Sequence, residues 1–289
     1  MRSIMITGAS GLLGRSLMQE FSASFNVIGC AFSRATTPLY KLDLADKQAV
    51  LVFLDDHQPD ILVHAAAERR PDQCQQHPEA TKQINVAATK FLAEACRERG
   101  IRFCFISTDY VFAGTHPPYS EQAKPEPVNF YGVTKYAAEQ AILADSEQHT
   151  IVRVPVLYGD VEYLGESAVT VIAEQLLREH CVQDHWAIRY PTHVEDIALT
   201  LRDLFTQHDC SGIYHISAKQ ALTKYEMACI MAQVQGLPTT TITANTTPSD
   251  DATRPHDCAL ADTRLAALGI HHQRDFSQAI AAIIKQQAS

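Results

Sequence analysis

The chain has 289 residues, of which 46% are hydrophobic and 20% are charged, as in an ordinary folded globular protein. Such a chain can bury a large core, so we expect one large domain or two unequal domains. The formal net charge of -9 provides no electrostatic footprint for nucleic acid or for an anionic membrane surface. A small molecule or another protein is therefore the expected partner.

The sequence shows no targeting, membrane or metal-binding pattern. No window approaches the ~20 consecutive apolar residues of a membrane span, and the apolar run at the start is too short for a signal peptide. The eight cysteines are scattered without a CxxC pair, which indicates reduced thiols. The thirteen histidines have no zinc-binding spacing. We therefore expect a cytoplasmic protein without a transition-metal site.

The first motif is a glycine-rich turn between a short apolar run and an amphipathic helical pattern. The turn reads TGASGLLG from Thr7 to Gly14. In a dinucleotide site the first glycine permits the tight turn, the second lets the backbone approach a pyrophosphate, and the third lets helix and strand pack closely. The predicted cofactor contacts of this turn are Gly8, Ser10, Gly11, Leu12, Leu13 and Gly14.

The second predicted strand, residues 26–32, ends at Ser33-Arg34, where the choice of cofactor is usually made. An NAD site tends to have Asp or Glu here, whereas Arg suits the 2′-phosphate of NADP. Arg34 therefore predicts NADP(H), with NAD(H) as the alternative. Asp43 and Leu44 follow a loop where the adenine end of the cofactor would lie, and Asp43 could accept a hydrogen bond from the adenine amine.

Two further strands place small or polar residues at the same predicted edge of a parallel sheet. The strand over residues 59–64 is followed by Ala65, Ala66 and Ala67, whose small side chains would let a cofactor ribose approach. A helix over residues 78–99 should bury Ile84, Ala88, Phe91, Leu92 and Ala95. The central strand over 102–106 leads to Thr108, our candidate hydrogen-bond donor to a substrate oxygen.

The stretch Tyr131-Gly132-Val133-Thr134-Lys135 lies in the next helical pattern. Residues four apart leave the same face of a helix, so an ammonium group should lie near a phenol. A fixed positive charge lowers the pKa of a phenol, and such a Tyr can perform acid/base chemistry on a carbonyl or an alcohol. Tyr and Lys at this spacing also occur by chance in many helices.

Beyond residue 157 the alternation of strand and helix breaks down. Helical patterns occur at 165–180, 194–206, 223–235 and 275–286, with a strand-like segment at 212–217. We expect an NADP-binding domain over 1–157 plus 194–217, and a smaller substrate-binding domain over 158–193 plus 218–289. The helix from Val194 to Phe205 should return to pack on the first domain.

Taken together, TGASGLLG, HAAA, STDYVF and YGVTK resemble the extended short-chain dehydrogenase/reductase family. Within it the chain is similar to the dTDP-4-dehydrorhamnose reductase group, which includes the beta regulatory subunit of methionine adenosyltransferase. The resemblance extends over the whole chain through RVPVLYG, PTHVEDIA and TKYEMA. It implies an α/β fold, namely a Rossmann doubly wound parallel sheet with a smaller mixed C-terminal substrate domain.

The resemblance also implies a function and a set of roles. Thr108, Tyr131 and Lys135 would form a catalytic triad that reduces a nucleotide-linked 4-keto-6-deoxy sugar with NADP(H). Tyr131 would protonate the carbonyl oxygen, Thr108 would hold the carbonyl, and Lys135 would bind the nicotinamide ribose and lower the pKa of Tyr131. The family also suggests a homodimer.

Several positions depart from the rhamnose-pathway reductases and resemble the regulatory subunit instead. Leu12 stands where those reductases usually have Gln, His64 begins a run that is usually Asn-Ala-Ala-Ala, and Val156 replaces a Trp. The alternative function is therefore a non-catalytic NADP-binding subunit whose partner is a methionine adenosyltransferase catalytic subunit. An epimerase or dehydratase of the same fold is a third reading.

Overall fold

A computed structural model describes residues 1–178, 180–207, 210–248 and 252–287 of the chain. Residue 179, within the helical pattern predicted over 165–180, and short pieces of the predicted domains lie outside the described residues. The strands are β1 Ser3–Thr7, β2 Asn26–Ala31, β3 Tyr40–Lys41, β4 Ile61–His64, β5 Arg102–Thr108, β6 Thr150–Val154, β7 Leu157–Tyr158, β8 Cys181–Asp184, β9 Thr192–His193, β10 Gly212–His215 and β11 Ile242–Asn245.

Seven of these strands form one parallel sheet in the order β10-β6-β5-β4-β1-β2-β3. The order reverses between β1 and β4, because the chain adds β2 and β3 on one side of β1 and the later strands on the other. Ligands of doubly wound sheets bind at such a point, outside the carboxyl ends of the strands. The predicted Rossmann fold is confirmed.

The helices are α1 Leu12–Phe21, α2 Lys47–His57, α3 Pro71–Gln76, α4 Pro78–Lys82, α5 Ala88–Glu98, α6 Phe130–Asp145, α7 Val171–Gln175, α8 Val194–Gln207, α9 Lys224–Gln235, α10 Thr263–Leu268 and α11 Phe276–Gln287. Both faces of the sheet are covered, by α1 and α8 on one side and by α2, α5 and α6 on the other. Side chains alternate along each strand, so Ile4 and Ile6 pack beneath α1 and α8, while Met5 packs beneath α2, α5 and α6. The predicted return of α8 onto the first domain is confirmed by the edge-to-face contact of Phe21 with Phe205.

One helix differs in register from its prediction. Residues 78–98 form α4, a π-helical turn over Gln83–Ala87, and α5. The wider turn rotates the residues that precede α5, so Asn85 is buried and Ile84, predicted to point inward, is 46% exposed. Ala88, Leu92 and Ala95 are buried as predicted.

The helix predicted over 165–180 is much shorter in the structure, where α7 extends only over Val171–Gln175. Hydroxyl groups compete for the backbone before it. The Thr170 hydroxyl donates to the Leu164 carbonyl, and the Ser167 hydroxyl accepts from the amide of Val169. Such local bonds favour turns over continued helix.

A separate hydrophobic cluster is built by α7, α9 and α11 with the short strands β8 and β11. It lies within the segments that the sequence analysis assigns to a smaller domain, and we propose the same division. Leu265 and Ile270, although they follow residue 218, pack in the core of the larger part.

None of the helices in the described ranges is long and apolar enough to cross a membrane. Among the same residues no group of three or more His, Cys, Asp or Glu side chains could hold a metal ion.

Candidate active site

The glycine turn connects β1 to α1 at the carboxyl edge of the sheet. Gly8 has a φ of +71°, a left-handed conformation that favours glycine, and a Cβ there would lie 2.8 Å from the amide nitrogen of Ala66. A Cβ on Gly14 would lie 2.1 Å from the carbonyl oxygen of Gly8. These two glycines therefore allow strand, turn and helix to pack in contact, as the sequence predicted.

Gly11 differs, because its surroundings are less crowded than those of Gly8 and Gly14. A Cβ there would meet only the carbonyl oxygen of Gly8, at 3.3 Å. Gly11 is also the N-cap of α1, and no side chain caps this described helix. Unpaired amides at a helix N-terminus bind phosphate groups. The residues present therefore fit a dinucleotide pyrophosphate.

The other predicted contacts of the turn have distinct positions. The carbonyl oxygen of Ser10 accepts from Arg15 and Arg34. Leu13 is buried in the main core, so only its backbone can face a ligand, whereas Leu12 is half-buried between the main core and the cluster of the smaller part. Leu12 thus joins the two parts beside the turn.

Arg34 lies beside the turn but is already paired. Its guanidinium donates to the carbonyl oxygen of Ser10 at 2.9 Å and to the Glu162 carboxylate at 2.8 Å. Asp43 is exposed and accepts from the amide of Ala45, while Leu44 packs against the core beneath it. The contacts of Arg34, Asp43 and Leu44 with the adenosine end of a cofactor stay predictions.

Ala65, Ala66 and Ala67 follow β4, which pairs directly with β1. All three are half-buried, and the contact between Gly8 and Ala66 places them against the glycine turn. Small side chains at this position are compatible with the approach of a ribose, and the contact of Ala65, Ala66 and Ala67 with a cofactor stays a prediction.

Tyr131 lies in the first turn of α6. The Asn129 side chain caps this helix by accepting from the amide of Gly132. A Cβ on Gly132 would lie 2.2 Å from the carbonyl oxygen of Tyr110, so glycine lets the helix start touch the end of β5. This contact brings Tyr131 and Thr108 together.

The Thr108 side chain lies within hydrogen-bonding reach of the Tyr131 hydroxyl. The pKa of Tyr131 is nevertheless raised above its ordinary value of 10.0, mainly because burial disfavours the phenolate, and the Thr108 hydrogen bond offsets only part of this effect. Tyr131 therefore keeps its proton at neutral pH, which suits a proton donor to a carbonyl oxygen.

Lys135 does not act on Tyr131 as the spacing suggested. Its ammonium group donates to the carbonyl oxygen of Ile106 at 2.6 Å and lies 3.9 Å from the ring centroid of Phe105. Burial lowers the pKa of Lys135 to about 7, an effect that the Glu139 carboxylate opposes. The expected lowering of the Tyr131 pKa is thus absent from the arrangement described by the structure.

Sequence comparison with known proteins identifies the family of the chain. The RmlD substrate binding domain family matches residues 1–289. The chain belongs to this family. The beta subunit of methionine adenosyltransferase 2 from Bos taurus is 41% identical over 283 residues, which cover 95% of this chain and 85% of that protein. A dTDP-4-keto-6-deoxy-D-glucose reductase from Streptomyces niveus is 34% identical over 238 residues, 80% of this chain and 78% of that protein.

Solved structures of the RmlD group have the same fold. The crystal structure of a dTDP-4-dehydrorhamnose reductase from Bacillus anthracis in complex with NADP has a TM-score of 0.86 at 25% identity, and covers 99% of both chains. The reductase from Clostridium acetobutylicum has a TM-score of 0.87 at 25% identity, and covers 99% of this chain and all of that one. The resemblance to the extended short-chain dehydrogenase/reductase family is confirmed.

His64, one of the positions that depart from the rhamnose-pathway reductases, has a structural role in this member of the RmlD family. His64 is buried at the end of β4, where its two ring nitrogens bond the hydroxyls of Thr7 at 2.7 Å and Thr89 at 3.0 Å. Burial and the charge of Lys135 lower the pKa of His64 to about 3, so the ring is neutral. His64 therefore supports the edge of the sheet and is not a proton carrier.

Sequence reasoning missed Asp109, which directly follows Thr108. Its side chain is buried and accepts from the Thr108 hydroxyl, and burial raises its pKa to about 7 despite the nearby Arg189. The only local signal was its position after a strand that ends at the ligand edge. Asp109 adds a second group that can carry a proton next to Tyr131.

A buried network behind Lys135 was also missed. Arg153 donates twice to the Glu139 carboxylate, at 3.0 and 2.7 Å, and the Ser107 hydroxyl donates to the same group. His215 of β10 contacts Arg153 from the other side. The network joins α6 to the sheet and fixes the helix that holds Tyr131.

Proposed function

We propose that the protein is an NADP(H)-dependent reductase of a nucleotide-linked 4-keto-6-deoxy sugar. The observation that carries the proposal is the meeting of the Thr108 and Tyr131 hydroxyls at the carboxyl edge of the sheet, beside the glycine turn. The Streptomyces niveus reductase, 34% identical over 80% of the chain, supports the substrate class.

The chain's own residues would position and protonate the substrate. A bound nicotinamide would supply the hydride, which is chemistry that proteins obtain from the cofactor. Tyr131 would donate its proton to the carbonyl oxygen, and its raised pKa keeps that proton in place until the oxygen becomes basic. Thr108 would hold the same oxygen by a second hydrogen bond.

The cofactor would lie along the edge already described. Amides of the turn from Gly8 to Gly14 would hold the pyrophosphate, with Arg34, Asp43 and Leu44 toward the adenosine end and the three alanines along the ribose path. Lys135 would reach the nicotinamide ribose only after its ammonium leaves the Ile106 carbonyl.

A group of basic residues near Asp109 could bind the diphosphate of the substrate. Lys224 is half-buried, and its pKa is lowered by burial and by the neighbouring charges of Arg189 and Arg254. Arg189 in turn lies over the Tyr110 ring, 5.7 Å from the centroid, close to Asp109. Arg254 is also paired with Asp72 at 2.9 Å, but Lys224 and Arg189 add positive charge close to Asp109, which would favour an anionic substrate over a neutral one.

The test is oxidation of NADPH in the presence of a dTDP-4-keto-6-deoxy sugar. Replacing Tyr131 by Phe removes the donor, so kcat should fall by about 10²–10⁴-fold, while NADPH affinity stays near that of the wild type. Tyr136→Phe, one residue beyond Lys135 on the same helix, is the matched control and should retain turnover. Equal turnover in wild type and Tyr131→Phe would refute the mechanism.

A second candidate is favoured by one observation, the 41% identity to a methionine adenosyltransferase 2 beta subunit over 95% of the chain. In this reading the protein binds the dinucleotide and associates with a methionine adenosyltransferase catalytic subunit. Size-exclusion chromatography of the two proteins at micromolar concentrations tests it. A complex that Tyr131→Phe leaves intact would support this role, and separate elution of the two proteins would count against it.

A further inference from the structure

Arg34 contacts a short stretch of the smaller part that carries three acidic residues. We call residues 160–166 the acidic segment, since it contains Asp160, Glu162 and Glu166. It follows β7 and lies beside the glycine turn, where Arg15 and Arg34 contact it.

The acidic segment is fixed at its C-terminal end. Arg15, in the first turn of α1, donates to both carboxylate oxygens of Glu166 at 2.8 and 2.7 Å. Arg69, beyond β4, donates to the carbonyl oxygen of Glu166 at 2.6 Å, and Gln287 of α11 donates to the carbonyl oxygen of Val161 at 2.7 Å. Arg34 adds only a longer contact to this anchor, 3.8 Å from the Glu166 carboxylate, so residues other than Arg34 make the short bonds that hold the segment beside the turn.

Glu162 has a different environment within the same segment. Its amide donates to the Glu166 carboxylate at 3.0 Å, which fixes its backbone, while its side chain is 51% exposed. That side chain reaches Arg34, which is itself 47% exposed, with 2.8 Å between Nη1 and Oε2. The buried Glu166 thus fixes the backbone of Glu162, and the exposed Glu162 carboxylate contacts Arg34, the residue proposed to bind a 2′-phosphate.

We propose that Glu162 sets the selectivity between NADP and NAD by competing with the 2′-phosphate for Arg34. This inference rests on the proposed dinucleotide site. A phosphate that approaches Arg34 must displace the Glu162 carboxylate or lie next to it, and both outcomes weaken binding because the charges are alike. A 2′-hydroxyl carries no charge, and a carboxylate is the group that accepts hydrogen bonds from ribose hydroxyls in NAD sites.

The test measures dissociation constants of NADPH and NADH by isothermal titration calorimetry for the full chain. Glu162→Gln removes the charge and keeps the shape, so NADPH should bind about twofold to fivefold more tightly, a size typical of exposed ion pairs. NADH affinity should not increase. The gain for NADPH should be largest at low ionic strength, because salt screens exposed charges.

A second background shows whether Glu162 acts through Arg34. Arg34→Ala should weaken NADPH by about tenfold or more and change NADH little. In that background Glu162→Gln should no longer improve NADPH binding, since the two side chains act on the same phosphate. Glu79→Gln, which removes the carboxylate of an exposed pair with Lys82 on α4, is the control for a general loss of negative charge.

The outcomes separate this inference from the function on which it rests. Wild type that binds neither dinucleotide would overturn both. Wild type that binds NADPH, with affinities unchanged in Glu162→Gln or improved equally in Glu79→Gln, would overturn the role of Glu162 alone. A gain that persists in the Arg34→Ala background would also overturn it.

Discussion

Tyr131 and Lys135 leave the same face of α6 and yet meet different surroundings. Tyr131 is directed to the end of β5, where it meets Thr108, whereas Lys135 is directed into the sheet and donates to Ile106. Helical spacing predicts that two side chains share a face, but the neighbouring strand decides what each one touches. In this fold β5 therefore gives Tyr131 and the buried Lys135 different partners.

The buried position of Lys135 predicts a pH dependence of stability. Its pKa is about 7 in the fold against an ordinary value of 10.5, so between these two pH values the unfolded chain binds more protons than the native chain. Stability therefore rises with pH across this window and is lost again as the pH falls toward 7.

Replacing Lys135 by Met removes this titration. The wild type should gain about 2 kcal/mol in the free energy of unfolding relative to Lys135→Met between pH 7 and pH 9. Urea denaturation at several pH values measures the difference. Lys90→Met, at an exposed position of α5, should run parallel to the wild type. Parallel curves for Lys135→Met and the wild type would contradict the buried, weakly basic Lys135.

At the scale of elements, the β1-turn-α1 unit shows how much local sequence determines. The tight turn at Gly8 and the close packing at Gly14 are confirmed, while the approach of a pyrophosphate to Gly11 stays a prediction. The π-helical turn before α5 was not predictable in the same way. Hydrophobic spacing favoured Ile84 inside, but Asn85 is inside because its amide bonds the Glu68 carbonyl, 17 residues away in the chain.

The same unit predicts that two glycine substitutions have different effects. Gly14→Ala places a Cβ 2.1 Å from the Gly8 carbonyl, and forced overpacking of this kind costs about 1–3 kcal/mol of stability. In Gly11→Ala the new Cβ meets one backbone oxygen at 3.3 Å, a tight but much smaller clash, so its melting temperature should fall less than that of Gly14→Ala.

Dinucleotide binding should reveal the role of Gly11. Its new methyl group would stand where the pyrophosphate approaches the backbone, and NADPH affinity should fall roughly tenfold or more. Thermal melts and calorimetric titrations of both variants measure the two effects. Normal NADPH affinity in a folded Gly11→Ala protein would show that the pyrophosphate does not lie on this turn.

At the scale of the whole molecule, the residues around the candidate site come from distant parts of the chain. The sheet edge supplies Thr108 and Tyr131, and its residues were found from sequence because each follows a recognisable strand or helix pattern. Glu162, which pairs with Arg34, and Arg189, which is near Asp109, lie in segments without regular alternation of strand and helix. A lone charged residue in a loop acquires meaning only from contacts that span more than a hundred residues, such as Arg34 with Glu162.

The choice between a reductase and a regulatory subunit concerns the whole molecule as well. The proposed proton donor Tyr131 is what a reductase needs, while 41% identity to a methionine adenosyltransferase 2 beta subunit extends over 95% of the chain. A direct test must follow the hydride and not the disappearance of the cofactor alone.

The measurement that decides the central claim is isotope transfer. The wild-type protein is incubated with a dTDP-4-keto-6-deoxy sugar and NADPH that carries deuterium at the transferable position of nicotinamide C4, and the sugar is analysed by mass spectrometry. We predict a product with one deuterium at sugar C4, formed far more slowly by Tyr131→Phe. A recovered sugar without deuterium, from protein that binds NADPH, would contradict the proposed reductase function.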